Sequence, residues 1–429
     1  MLAATLGFAA AFALILLRVP IAIALGLAGG VGYAILVGIP PAFSMVALSA
    51  VSSSMSYNLA VIPLFVLMGN LIAGAGIASE LYRAAQAFVG HLRGGLGVAT
   101  VVSCGGFAAV CGSSVATAVT MGRVAIPSMR SMGYSDSLST ATVAAGGTLG
   151  ILIPPSIIMV VYGVTTETHI GQLFAAGVVP GLIGMLGYAM AVQWTARRHP
   201  GSAPQAARAT GAERRAALAR VWPVVVLFGI VLGGIYSGLF TATEAAGIGA
   251  CGAIAFALMR RMRLSEFFAI LRDSAATSAV LFALIIGAKV FAEFVNYTGA
   301  HTGVLVLVQD SGLSPAMAML VICLIYILLG CLLDSLAMML LTLPMFFPIV
   351  TGLGYDPVWF GIMVVMLVEL GLITPPIGIN LFILRTVVPD VPLARIIRGI
   401  LPFIVADVVR LLLIGLVPGL AVALPALFF

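Results

Sequence analysis

Residues 150–157 read GILIPPSI, two adjacent prolines inside a run otherwise suited to hydrocarbon. Proline has no backbone N–H, and its ring collides with the carbonyl four residues back. In a helix interior this costs roughly 3 kcal/mol or more. In a bilayer no water meets the freed carbonyl. The same pair recurs at Pro375–Pro376, inside ELGLITPPIGIN (369–380). How the chain accommodates these two interruptions decides the fold.

Everything around them is built for a membrane. Of 429 residues 62% are hydrophobic and 8% are charged, against about 25% charged in a soluble domain. At about 20 residues per helical span there is room for about ten spans. The cysteines (Cys104, Cys111, Cys251, Cys323 and Cys331) lie in apolar stretches without CxxC spacing. They read as small buried residues, not as disulfides or zinc ligands. The first apolar stretch precedes its charge, Arg18, the reverse of a signal peptide, and reads as a true span.

Charge sets the orientation. Lys289 is the sole lysine, and six arginines crowd the one long polar segment, TARRHPGSAPQAARATGAERRAALAR (195–220). The positive-inside rule makes that linker cytoplasmic and, with it, the turns at Arg18, Arg83, Arg93 and Arg260–Arg263. Topology accounts for the basic balance, so no nucleic-acid partner is expected. Spans are expected at 2–17, 21–39, 43–75, 137–166 and 171–194 before the linker. After it they fall at 222–239, 243–259, 275–295, 357–384 and 399–418. Ten crossings leave both termini periplasmic.

Residues 96–130 and 313–350 are apolar but interrupted by CGSS (111–114) and LLDS (332–335). Each reads as a re-entrant helical hairpin, although a full pair of crossings gives the same sidedness. Non-helical backbone at membrane depth survives only where protein or a water-filled cavity covers it. Before each hairpin lies an amphipathic segment, 78–93 and 296–312, read as an interfacial arm.

The halves superpose at an offset of 221. Ser114 falls on Ser335, Ala116 on Ala337, Pro127 on Pro348 and Gly133–Tyr134 on Gly354–Tyr355. Leu149–Gly150 falls on Leu370–Gly371 and the first proline pair on the second. With five crossings per half, the copies enter the membrane from opposite sides. The expected class is therefore an all-α polytopic membrane protein with an inverted-topology repeat, two re-entrant hairpins and two proline-broken helices. Its divisions are 1–194, a linker at 195–221, and 222–429. Interrupted segments in corresponding positions point to a secondary transporter and to its binding site.

The prolines strand the carbonyls of Gly150 and Ile151, and of Gly371 and Leu372, four residues earlier. A desolvated hard cation such as sodium suits those oxygens. Ser113 and Ser114 at the first tip, Asp334 and Ser335 at the second, and Thr374 offer further oxygen. Half-helices starting near Ser156 and Ile377 turn positive dipole ends inward, toward an anionic cargo. The competing reading is a pair of packing kinks whose freed groups are met by serine, threonine or water.

GTLGILIPPSI, ELGLITPPIGIN and the tip CGSSVAT resemble the large membrane subunit of TRAP (tripartite ATP-independent periplasmic) transporters, over essentially the whole chain. The resemblance implies a bacterial inner-membrane carrier of organic acids, driven by Na+ as coupling ion and working as an elevator. It also implies a soluble periplasmic binding protein and a small four-helix membrane subunit, expected here as a separate polypeptide. Carried over by position, Ser113, Gly150, Ile153 and Pro155 would form a first sodium site. Asp334, Gly371 and Thr374 would form a second. Substrate would lie near Ser114 and Ser156, with Asn380 and Arg123 as further candidates. Cys111 departs from an oxygen-bearing tip residue, so it would act through its carbonyl. A stand-alone sodium-coupled di- or tricarboxylate symporter without a binding protein is the alternative.

Lys289–Glu293 and Asp407–Arg410 are spaced as structural ion pairs one turn apart. The alternative for Arg410 or Lys289 is to face the small subunit. Glu369, the counterpart of Thr148, stands just before the second break and is placed to tune its field. No Walker lysine motif, HExxH or nucleophile–base set is present, so no enzymatic chemistry is expected.

Overall fold

The computed structural model describes residues 2–310 and 312–429, so the Ser311 part of the second expected arm lies outside the described residues. The chain is helical from end to end, with no strand among the described residues. The first half runs α1 (Leu2–Leu16), α2 (Ile21–Val37), α3 (Ile39–Ser54), α4 (Val61–Gly74), α5 (Ile77–Val89), α6 (Gly95–Cys111), α7 (Ser114–Ser131), α8 (Asp136–Thr148), α9 (Ile157–Thr166) and α10 (Ile170–Arg198). The second runs α11 (Gly211–Tyr236), α12 (Ala242–Met259), α13 (Leu264–Thr298), α14 (Ala300–Asp310), α15 (Pro315–Gly330), α16 (Ser335–Gly352), α17 (Pro357–Ile373), α18 (Ile379–Val387), α19 (Leu393–Leu416) and α20 (Gly419–Phe428). Seven of the described helices are long and apolar enough to cross a membrane.

The offset of 221 holds element by element. It carries α7 onto α16 end for end, α2 onto α12, α5 onto α14, α8 onto α17, α9 onto α18 and α10 onto α19. The joints repeat too. Gly133 and Gly354 both take a left-handed φ, 82° and 87°. Each is followed by a tyrosine whose N–H reaches back five residues, Tyr134 to Met129 and Tyr355 to Val350. This is the Schellman closure, which needs glycine at the left-handed position. Ser135 and Asp356 then cap the helices that follow. The copies interlock: α2 packs on α13 and α4 on α12, while α7 meets α18 and α16 meets α9.

Four features differ from the sequence expectation. The 43–75 span is two helices, α3 and α4, parted by a 3-10 turn at Tyr57–Ala60, where its counterpart α13 is one rod of 35 residues. The linker is shorter than 195–221, because α10 continues to Arg198 and α11 starts at Gly211. Its start is a capping box, Thr210 and Glu213 bonding reciprocally, a T-x-x-E signal that apolar-run counting passes over. A further helix, α20, follows the last expected span. Cys251 is exposed, while the other four cysteines are buried.

Candidate ion and substrate site

Both proline pairs interrupt their helices. In the first repeat α8 stops at Thr148, a 3-10 turn covers Leu149–Ile151, and α9 restarts at Ile157. In the second, α17 stops at Ile373 and α18 starts at Ile379. Both Pro–Pro bonds, Pro154–Pro155 and Pro375–Pro376, are cis. Both hairpins exist as well: α6 turns into α7 through Gly112–Ser113, and α15 into α16 through Cys331–Asp334.

The tip of the first hairpin lies on the first break. A Cβ on Gly150 would stand 2.8 Å from the Ser113 carbonyl oxygen and 3.0 Å from Thr117 Oγ1. A Cβ on Gly112, which has φ 61°, would stand 2.8 Å from the Pro155 carbonyl oxygen. Glycine at both positions is what permits this approach. Ser113 caps α7, accepting from the Ala116 N–H at 3.4 Å, and its own carbonyl accepts from Thr117 Oγ1 at 2.7 Å. Ser113, Gly150 and Pro155 are thus brought together, and Thr117 joins them. Thr117 was not read from the sequence; its one signal is the hydroxyl four residues after Ser113, on the same helix face. The side chain of Ile153 packs toward Gly105 and Gly181, which leaves its backbone as the polar contribution. The Cys111 carbonyl lies against Gly69 of α4.

Ser156, expected near the substrate, stands at the start of α9 with both its bonds made inside the break. It is buried, caps α9 by accepting from the Met159 N–H at 3.3 Å, and donates its hydroxyl proton to the Ile151 carbonyl. One of the two oxygens that the first proline pair strands is therefore met by serine. The kink reading describes that oxygen correctly.

The second break is built otherwise. Thr374 donates its hydroxyl to the Leu370 carbonyl, and its N–H reaches the Gly371 carbonyl at 3.3 Å. Gly378, at φ 59°, stands where a cap would be, and no side chain caps α18. Pro376 and Ile377 are exposed, whereas Pro154, Pro155 and Ser156 are buried. Here the limb of the hairpin makes the close approach. A Cβ on Gly371 would lie 2.7 Å from the Gly330 backbone of α15. Asp334 caps α16 at the tip, its Oδ1 accepting from the Leu336 N–H at 2.9 Å.

The expected substrate residues divide. Ser114 is buried at the start of α7. Asn380 is fully buried; its amide donates to the Ala144 carbonyl of the other repeat at 3.3 Å, and its Oδ1 has no partner. Arg123 is exposed, nine residues past Ser114 on the same helix, hence about 14 Å along its axis. That separation takes it away from the tip.

Among the other charges, Asp407 and Arg410 pair at 2.8 Å, and Arg410 also binds Glu369. All three are buried, so Arg410 faces the interior and not a second subunit. Lys289 and Glu293 form no ion pair. Lys289 Nζ approaches the Ser52 hydroxyl at 3.4 Å and lines an 830 Å³ cavity with Asn58, Thr165, His169 and Thr241. On α13 the two side chains are a turn apart, Lys289 turned to this cavity and Glu293 exposed.

Interlocked helical repeats with a pair of hairpins and a pair of interrupted helices define a polytopic membrane transport protein. The family described as "Tripartite ATP-independent periplasmic transporter, DctM component" matches residues 8–420. The chain belongs to this family of TRAP transporter large permease proteins. It is 40% identical over 405 residues (94% of this chain, 93% of the relative) to the C4-dicarboxylate TRAP transporter large permease protein DctM of Pseudomonas aeruginosa. It is 33% identical over 382 residues, 87% of each chain, to the sialic acid TRAP transporter large permease protein SiaM of Vibrio cholerae. Among solved structures, the Alcanivorax borkumensis YdaH transporter, described as having an unusual topology, superposes with a TM-score of 0.63 over 90% of each chain. At 16% identity that likeness concerns the fold alone.

Proposed function

We propose that this permease subunit imports a small organic carboxylate across the bacterial inner membrane, driven by sodium. A periplasmic binding protein delivers the cargo, and a small four-helix membrane subunit supports the permease. The named relatives carry C4-dicarboxylates and sialic acid, which share a carboxylate, and that group suits inward-facing helix N-termini at α9 and α18. Both termini are periplasmic and the Arg-rich linker is cytoplasmic in this reading. The halves 1–194 and 222–429 are then inverted repeats, with hairpins and broken helices moving together against the remaining helices as an elevator.

The observation that carries the proposal is the convergence of oxygen at the first break. The Ser113 carbonyl, Thr117 hydroxyl and Pro155 carbonyl lie at contact distance from the glycines at positions 150 and 112. Two carbonyls and a hydroxyl are the hard oxygen donors that suit a hard monovalent cation. Asp334 supplies the one carboxylate at a hairpin tip, so the second site carries the stronger field. The chain's role is to hold these oxygens in register and exclude lipid from them. Sodium bound there is cargo that fixes the hairpin against the break.

Uptake into proteoliposomes tests this. With the small subunit and binding protein present, an inward sodium gradient should drive saturable carboxylate uptake that potassium does not support. Uptake that persists without the binding protein would favour the stand-alone symporter. Uptake indifferent to sodium would remove the reading.

A further inference from the structure

A buried polar chain joins the two breaks. Thr148, the last residue of α8, has its hydroxyl 3.1 Å from the Tyr188 hydroxyl of α10. Tyr188 donates to Asp407 Oδ2 of α19. Asp407 Oδ1 lies 2.8 Å from Arg410 Nη2, and the same nitrogen binds Glu369 Oε2 on α17. Every residue in the chain is at most 2% exposed. Its ends are counterparts under the repeat: Thr148 stands two residues before Gly150, and Glu369 two before Gly371. The four helices it joins are the two that break and the two that follow them. At the second end the carbonyl next to Glu369, that of Leu370, holds the Thr374 hydroxyl.

Each link depends on its neighbours. Arg410 packs against α10 at Gly184, where a side chain would collide with its guanidinium, so the glycine is what makes room for it. Arg410 Nε and Nη1 have no hydrogen-bond partner, and neither have Glu369 Oε1 and Asp407 Oδ1. The 2.8 Å approach of Asp407 to Arg410 Nη2 is therefore an ion pair without hydrogen-bond geometry. The network is thus held in place by few bonds between buried charges. Removing one leaves the others desolvated and uncompensated. Such networks act as units.

We propose that Tyr188, Asp407 and Arg410 are positioning residues that tie the first break to the second, so that cation binding at one break is felt at the other. They touch neither ion nor cargo in this arrangement. The cooperativity of sodium activation resides in this side-chain chain and not in contact between the sites. The inference rests on the sodium reading above, but one arm of its test does not.

The experiment pairs two measurements on the full permease with its partners. Tyr188→Phe removes a single hydroxyl and keeps the ring. The expected result is normal insertion and unchanged substrate half-saturation at saturating sodium, with a sodium Hill slope falling from near 2 toward 1. Thr148→Val should do the same and Thr148→Ser should restore the slope. Unchanged slopes in both, beside a sigmoidal wild type, would overturn the inference while leaving sodium coupling intact. A wild type without sodium activation would instead remove the sodium reading. The second measurement is amide hydrogen exchange of the apo protein with Glu369→Gln. The change lies in the second repeat, and faster exchange at residues 151–153 of the first is expected. Acceleration confined to the surroundings of position 369 would mean a local structural role and would overturn the proposal.

Discussion

The first break is closed and the second is open. Around Pro154–Pro155 the backbone is buried, the next half-helix is capped by Ser156, and the hairpin tip lies directly on it. Around Pro375–Pro376 two residues are exposed, a glycine replaces the cap, and contact comes from the hairpin limb through Gly330 and Gly371. The same two prolines, at equivalent positions, therefore sit in unlike surroundings. The difference lies in the neighbours: Ser113 faces Asp334, Ile153 faces Thr374 and Ser156 faces Ile377 under the offset. Each copy meets one freed oxygen internally, that of Ile151 by the Ser156 hydroxyl and that of Gly371 by the Thr374 N–H, and the first offers backbone carbonyls at its tip. The second leaves its cap empty and brings a carboxylate.

The largest effect expected from this contrast is at the carboxylate. Asp334→Ala should raise the half-saturating sodium concentration by about tenfold or more, equivalent to about 1.4 kcal/mol. Ser113→Ala should change it far less, because Ser113 offers its carbonyl. Equal effects in a sodium titration of uptake would erase the proposed asymmetry. Next come the glycines. Gly150→Ala would press on the Ser113 carbonyl of the non-helical tip and on the Thr117 hydroxyl, and Gly371→Ala, more closely, on the helical backbone of α15 at Gly330. Overpacking costs about 1–3 kcal/mol, and Gly371→Ala should lower the melting temperature more. Thermal unfolding of both in detergent ranks them. Ser156→Ala removes both a cap and the partner of the Ile151 carbonyl, a loss of about 1–2 kcal/mol. Thr374→Val, at a half-buried position, should lose less in the same assay.

The smallest effect lies at the hairpin base. Arg130 binds Asp136 at 2.7 Å and Asp390 at 2.6 Å, tying the first hairpin to the loop between α18 and α19. The equivalent position of the second hairpin is Thr351, which bonds only within its own helix. The hydrogen bond from Arg130 holds the Asp390 carboxyl below the usual aspartate range. Its contribution is present above the ordinary aspartate pKa and is lost as pH falls through the lower folded value. Asp390 is exposed, so solvent screens the pair. Asp390→Asn should shift thermal stability only slightly at neutral pH, and the difference from wild type should shrink as pH falls through the lowered folded value of Asp390.

Much of this was legible in the residues. Proline pairs, Gly-Tyr pairs and polar tips at one offset gave the two breaks and two hairpins, because each depends on a local backbone rule that few residue types obey. The same arithmetic carries whole helices onto one another. What sequence did not reveal depends on packing in space. Ser156 looks free for cargo until the Ile151 carbonyl is seen beside it. Lys289 and Glu293 have pairing spacing, yet Lys289 turns to a cavity. Glu369 and Tyr188 belong to one network across four helices, which no spacing announces. For Arg123 the helix rise alone gives the distance from the tip, about 14 Å along α7.

The central claim is that two cation sites sit at the two breaks and that they are unlike. Equilibrium binding of radioactive sodium to the purified permease complex tests it most directly. Two saturable sites are predicted in the wild type, with Asp334→Ala losing one and keeping the other. No saturable binding, or the same two sites in Asp334→Ala, would contradict the account.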